Sequence, residues 1–161
     1  MNFAFSDEQL ELGRIVRQFL EDKSDEPEVR RLMDTEQGYD PAVWRQMADQ
    51  IGLQGLIVPE EYGGTGYSFL ELVVVLEQMG AALLCAPYFS TVVLGVSTLL
   101  HAGDDAACKE WLPGIAAGDT VATLALTEDN GRWDAEGVQL QARRDGEGWT
   151  LQGHKSYVLD G

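Results

Sequence analysis

Trp111-Leu112-Pro113-Gly114-Ile115-Ala116-Ala117-Gly118-Asp119 is the stretch on which the fold turns. Before it, apolar residues recur at helical spacing; after it they fall into short continuous or alternating runs, the pattern of strands. This change of period predicts an α+β chain. An all-α N-terminal bundle is expected over residues 1–118, followed over 119–161 by the beginning of an antiparallel, β-barrel-like domain that is truncated at Gly161.

Working back from that stretch, Asp104 or Asp105 is placed to cap a helix holding Trp111 and Leu112, and Pro87 separates two apolar helical runs, Leu70–Leu84 and Tyr88–Leu100. Ser68 and Glu71 form a capping box for the first of these, which is apolar nearly all round and is expected to be the central helix of the bundle. Gly55-Leu56-Ile57-Val58-Pro59-Glu60-Glu61-Tyr62-Gly63-Gly64-Thr65-Gly66 reads as a glycine-rich turn. A glycine cluster can also cradle a phosphate, but neither a preceding alternating strand nor Gly-x-Gly-x-x-Gly spacing supports that alternative. Asp40-Pro41 starts a helix buried through Val43, Trp44, Met47, Ala48 and Ile51 and ended by Gly52. A short helix carries Val29, Leu32 and Met33. Ser6 and Gln9 cap the first helix, with Phe5 and Leu10 as a hydrophobic staple and Leu10, Leu12, Ile15, Val16, Phe19 and Leu20 as its stripe.

Working forward, Val121–Leu126 reads as a buried strand and Val138–Arg144 as a surface strand. Asp145-Gly146-Glu147-Gly148 is a turn, Trp149–Gln152 a returning strand and Tyr157–Leu159 another strand.

Composition narrows the classes of function. With 27 acidic and 11 basic residues the chain carries a formal charge of −16, which repels phosphodiester backbones and anionic lipid heads, so neither nucleic acid nor a membrane is expected as a partner. The N-terminus lacks the basic and apolar regions of a signal peptide, and no apolar run is long enough to span a bilayer; a cytoplasmic location is expected. Cys85 and Cys108 have neither disulfide-framework nor metal-site spacing and read as two small buried thiols. His101 and His154 have no neighbouring ligand set and read as helix-end and loop residues, while Trp44, Trp111 and Trp149 read as core or interface packing.

Several of these stretches, taken in order, resemble the acyl-CoA dehydrogenases. They are the Gly-Leu…Val-Pro-Glu-Glu-Tyr-Gly-Gly-Thr-Gly run of 52–66, Leu-Glu…Leu-Glu-Gln-Met-Gly of 70–80, Trp111–Gly118, Ala125-Leu126-Thr127-Glu128 and Gly153-His154-Lys155. The resemblance implies a helical N-terminal domain, a middle β domain that binds FAD and a C-terminal helical bundle. It also implies oxidation of an acyl-CoA thioester between Cα and Cβ, in fatty-acid, lipid or steroid metabolism. A carboxylate removes the α proton while a hydride passes to the flavin, and in this family that carboxylate lies beyond the middle domain, so no catalytic residue is expected here. The reduced flavin would pass electrons to electron-transfer flavoprotein or a similar acceptor, in a homo- or hetero-oligomer.

By family position Leu124, Leu126, Thr127, Arg132, Trp133, Tyr157 and Leu159 are the candidate flavin contacts, with Trp133 also facing the acyl-CoA. Thr127 would hydrogen-bond the ring. A hydroxyl and aromatic surface are what an isoalloxazine edge and face require. The chain departs from the usual Thr-Glu-Pro-x-Ala-Gly-Ser-Asp by having Asp129 for proline and Arg132-Trp133 for Gly-Ser, and Leu159 stands where a threonine is usual. Arg132 offers a fork of donors to a phosphate instead. These departures leave a second expectation, a flavin-less partner subunit with a structural or substrate-binding role, as in heteromeric dehydrogenases of steroid and bulky acyl-CoA side chains.

Overall fold

A computed structural model describes residues 4–161. Two compact units make up the chain, one ending at Ala122 and the other running from Thr123 to Gly161. The first is helical: α1 (Asp7–Lys23), α2 (Glu26–Met33), α3 (Pro41–Gln46), α4 (Phe69–Ala81), α5 (Ser97–His101) and α6 (Asp105–Ala116). The second carries an antiparallel hairpin of β1 (Ala142–Asp145) and β2 (Gly148–Leu151), paired from Ala142 opposite Leu151 to Asp145 opposite Gly148, with Gly146 at φ +62° in the turn. This is the α+β arrangement that the change of period predicts.

Local chemistry sets the helix starts. The Ser6 hydroxyl accepts from Gln9 N–H while the Gln9 side chain accepts from Ser6 N–H; Ser68 and Glu71 complete a second capping box. Asp40, with Pro41 at the first helical position, starts α3, and of the two candidate aspartates it is Asp104 that caps α6. Gly52, at φ +72°, closes the helix that begins at Pro41. That helix widens to π geometry over Met47–Ile51, as does Phe89–Val96 ahead of α5; nothing in the sequence pattern distinguishes these turns from α.

The largest core cluster unites Val16 and Leu20 of α1, Trp44 and Met47, Leu53, Leu56, Leu72, Val75 and Met79 of α4, and Tyr88 and Val92. A second cluster holds Val58, Val96, Cys108, Leu112, Ile115 and Ala116. Helices α1 and α4 pack closely at Gly13, where a Cβ would sit 3.2 Å from Val74 Cγ1. The contact is flanked by Gln9 Nε2 donating to Glu71 Oε1 at 2.7 Å and Arg17 Nε donating to Gln78 Oε1 at 2.9 Å.

Several expectations are corrected. Val121–Leu126 and Tyr157–Leu159 are extended or turned segments without a ladder, since a β-prone run becomes a strand only when another strand satisfies its backbone groups, and β1 and β2 pair only with each other. The ladder also begins at Ala142 and not Val138. Helix α4 is buried on one side only, because Phe69, Leu70 and Val73 face out; Leu10 and Ile15 of the α1 stripe are likewise exposed. Met33 lies outside the core and Cys85 is only half-buried; of the tryptophans read as core or interface packing, Trp44 takes the core while Trp111 and Trp149 are exposed on this chain.

The glycine-rich run is a structural turn. Each backbone N–H from Tyr62 to Tyr67 donates to a carbonyl between Gly55 and Glu60, so none of those six is free to receive a phosphate.

Candidate functional site

Residues 123–129 and 153–161 approach each other in the second unit. One backbone hydrogen bond joins them, Ser156 N–H to Thr127 O at 2.8 Å, supplemented by Thr123 Oγ1 donating to Leu159 O at 2.7 Å. Thr127 is buried, and its hydroxyl makes no hydrogen bond among the described residues. Leu124 and Leu126 are half-buried. Trp133, Tyr157 and Leu159 lie largely open, Trp133 at 80% and Tyr157 at 86% exposure, so both rings have surface available for stacking. Tyr157 has φ +56° and Asp160 φ +52°. For a side chain as large as tyrosine that conformation costs about 1–2 kcal/mol, the kind of strain found at ligand contacts.

Arg132 is placed differently from the expectation for a phosphate ligand. Its guanidinium donates to Asp134 at 2.8 Å and to Glu136 at 2.8 Å, and its N–H donates to Asn130 Oδ1, whose Nδ2 in turn donates to Gly137 O. The arginine ties its own loop. The hydrogen bond from Arg132 holds the Asp134 carboxyl below its usual range.

Two residues that carried no role in the sequence reading join the segments. Glu128 is buried; its Oε1 accepts from Leu140 N–H at 2.9 Å and Lys155 Nζ at 2.9 Å, and its Oε2 accepts from Gln139 N–H at 3.0 Å. Lys155 Nζ also donates to Leu126 O at 3.1 Å. Beside them Asp129 Oδ1 lies 2.7 Å from His154 Nδ1 and accepts from Ser156 Oγ at 3.3 Å. Spacing gives no hint of these pairings, because the partners lie 27 and 25 residues apart; the available clue was a charge set against an apolar run in each segment.

Hydrogen bonds from Leu140 N–H, Lys155 and Gln139 N–H pull the Glu128 carboxyl down to about 2 from an ordinary value of 4.5. A depressed folded-state value means that its stabilisation is complete above about pH 4.5 and is lost as pH falls through about 2. The Gln139 and Leu140 amide protons, followed by NMR during acidification, should therefore shift with a midpoint near 2. A midpoint in the ordinary carboxylate range would contradict the geometry.

Comparison with known proteins decides the family. The model of the acyl-CoA dehydrogenase N-terminal domain matches residues 6–119. The chain belongs to the acyl-CoA dehydrogenase family. Acyl-CoA dehydrogenase FadE12 of Mycobacterium tuberculosis is 36% identical over 118 residues, which are 72% of this chain and 30% of that protein. The ChsE4–ChsE5 complex of M. tuberculosis superposes with a TM-score of 0.83 at 30% identity, covering 98% of this chain and 42% of that one. A Bacillus anthracis acyl-CoA dehydrogenase solved with FAD gives 0.79 at 27% identity, over 96% of this chain and 27% of that one. The chain thus spans less than half the length of each of these three proteins. No helix among the described residues is long and apolar enough to cross a membrane.

Proposed function

We propose that this chain supplies the helical domain and the first flavin-contacting segments of an FAD-dependent acyl-CoA dehydrogenase. Its substrate is an acyl-CoA thioester, its electron acceptor is electron-transfer flavoprotein or a similar protein, and it works in a homo- or hetero-oligomer. The reading is carried by the juxtaposition, in a chain of this family, of the Thr127 segment and the Ser156–Leu159 segment.

The groups on these segments fit a flavin ring better than a diphosphate. Thr127 has a hydroxyl without a partner among the described residues to offer the polar edge, Trp133 and Tyr157 expose aromatic surface, and Leu124, Leu126 and Leu159 supply apolar contact. Trp133 is also the residue assigned to the acyl-CoA. Arg132 would have to exchange two carboxylates for a phosphate, and its role is to shape the 128–138 loop. When bound, FAD accepts the hydride removed from Cβ of the thioester. Glu128 is unsuited to remove the α proton: its carboxylate is engaged by three donors and its pKa is about 2, whereas a general base needs access to the proton and a pKa near the working pH. The base is assigned to a carboxylate outside residues 1–161.

Full-length protein should purify yellow or take up FAD on reconstitution, and the flavin should bleach with an acyl-CoA substrate. Thr127→Val removes one neutral hydrogen bond, worth about 0.5–1.5 kcal/mol, and should weaken FAD binding by roughly two- to tenfold. A colourless protein that takes up no flavin would overturn the reading.

A further inference from the structure

We infer that Glu128 and Lys155 are positioning residues that hold the two flavin-contacting segments in register, replacing the strand ladder that the described residues do not form there. The inference rests on the flavin reading for its functional consequence and on geometry alone for the clasp. A single backbone hydrogen bond, Ser156 N–H to Thr127 O, runs between residues 126–129 and 153–157 among the described residues. Side chains make the remaining links, and of the two ion pairs among them the Glu128–Lys155 pair is the one substantially screened from solvent, with side-chain exposures of 11% and 21% against 77% and 71% for Asp129 and His154. An exposed pair is worn down by water and salt; a shielded one is worn down much less.

The bonding is convergent. Glu128 ties its own segment to the backbone of Gln139 and Leu140, and Lys155 spans from Glu128 to the carbonyl of Leu126. Thr127 lies between the two residues that Lys155 engages, and its carbonyl receives Ser156 N–H. The Thr127 hydroxyl is therefore carried by the residue next to Glu128, and the Tyr157 ring by the residue next to Ser156, which itself adjoins Lys155 and donates to Thr127 O. Neither Glu128 nor Lys155 need touch the flavin to set where those groups lie. Removing one partner also leaves the other shielded charge without its counter-ion, which costs more than removing both.

The test uses full-length protein carrying Glu128→Gln, Lys155→Met or both. Hydrogen exchange read on the flavin-free protein should quicken at Gln139, Leu140 and Ser156 by about tenfold to a hundredfold in Glu128→Gln, as expected for hydrogen bonds to a charged group, while amides of α1 and α4 stay unchanged. Lys155→Met should quicken Ser156 most, and the double variant should be less affected than the sum of the singles. In flavin-loaded protein, Glu128→Gln should alter the flavin visible circular dichroism and shift its reduction potential, readouts that a loss of stability elsewhere would not move. Glu128→Asp, which keeps the charge but shortens the reach, should restore neither.

Unchanged exchange at all three amides overturns the clasp, whether or not flavin binds. Quickened exchange with an unaltered flavin spectrum and potential overturns the positioning role. A wild-type protein that binds no flavin defeats the functional reading instead, and with it that role, while exchange still decides the clasp.

Discussion

Trp44→Ala should lower the unfolding free energy by about 4 kcal/mol or more, a loss in the range for deletion of a buried aromatic side chain. Trp44 is only 4% exposed and packs edge-on against Tyr39 with centroids 6.3 Å apart. Its Nε1 donates to Gly118 O at 3.0 Å, and that buried carbonyl would be orphaned at a further cost of about 1–3 kcal/mol. Arg45, the next residue, donates to Ala117 O and pairs with Asp119, so α3 holds the segment that follows α6 from two adjacent side chains. Gly118 fits against them because it has no side chain: at φ +75° its Cβ would lie 2.8 Å from Ala48 Cβ. Trp44→Phe keeps much of the packing but leaves the same Gly118 carbonyl orphaned, so it should cost roughly 1–3 kcal/mol. Urea unfolding checks both, as a fall in midpoint at constant slope. A loss below about 1 kcal/mol for the alanine variant would show that the pocket collapses around the gap.

Trp44 also marks the boundary of what sequence could tell. Its burial follows from its place on a helical stripe, as the starts of α1, α3, α4 and α6 follow from Ser6, Asp40, Ser68 and Asp104; each is decided within four residues. The carbonyl it meets lies 74 residues away, and no local pattern announces that. The same holds after α6. Val121–Leu126 and Tyr157–Leu159 have strand composition, yet their state depends on partners and not on propensity. Thr127, Trp133 and Tyr157 could be named from the resemblance. Glu128 and Lys155 stood in the same motifs without a role, because an ion pair between residues 27 apart appears only once the chain has folded. Arg132 shows the converse: its fork of donors suggested a phosphate, but Asp134 and Glu136 are two and four residues on and claim it first.

Gly64→Ala is expected to be the most damaging single-methyl change in the helical unit. The chain reverses after Pro59 so that residues 64–67 return along 55–58: Thr65 N–H donates to Gly55 O at 3.0 Å, Gly66 N–H to Val58 O at 2.9 Å and Tyr67 N–H to Leu56 O at 2.9 Å. Gly63 at φ +85° and Gly66 at φ +64° supply the left-handed conformations the reversal requires. Gly64 serves a different need, since a Cβ there would run into the carbonyl of Val58. Val58 is fully buried in the α6 cluster and its carbonyl already receives Gly66, so the obstacle is backbone that cannot rotate aside. Overpacking a closed site costs about 1–3 kcal/mol and occasionally more; against fixed backbone the upper end, about 3 kcal/mol or more, is expected. The displacement should open the Thr65, Gly66 and Tyr67 hydrogen bonds and then disturb Ser68, whose hydroxyl caps α4. Gly38→Ala is the contrast, because Gly38 has a positive φ of the kind found at Gly63 and Gly66 but not at Gly64, and a Cβ there would meet nothing within 4 Å; it should cost no more than about 1–2 kcal/mol. Equal losses for the two variants in urea unfolding would mean that the close approach of Gly64 to Val58 is relieved at no more cost than an exposed left-handed alanine carries.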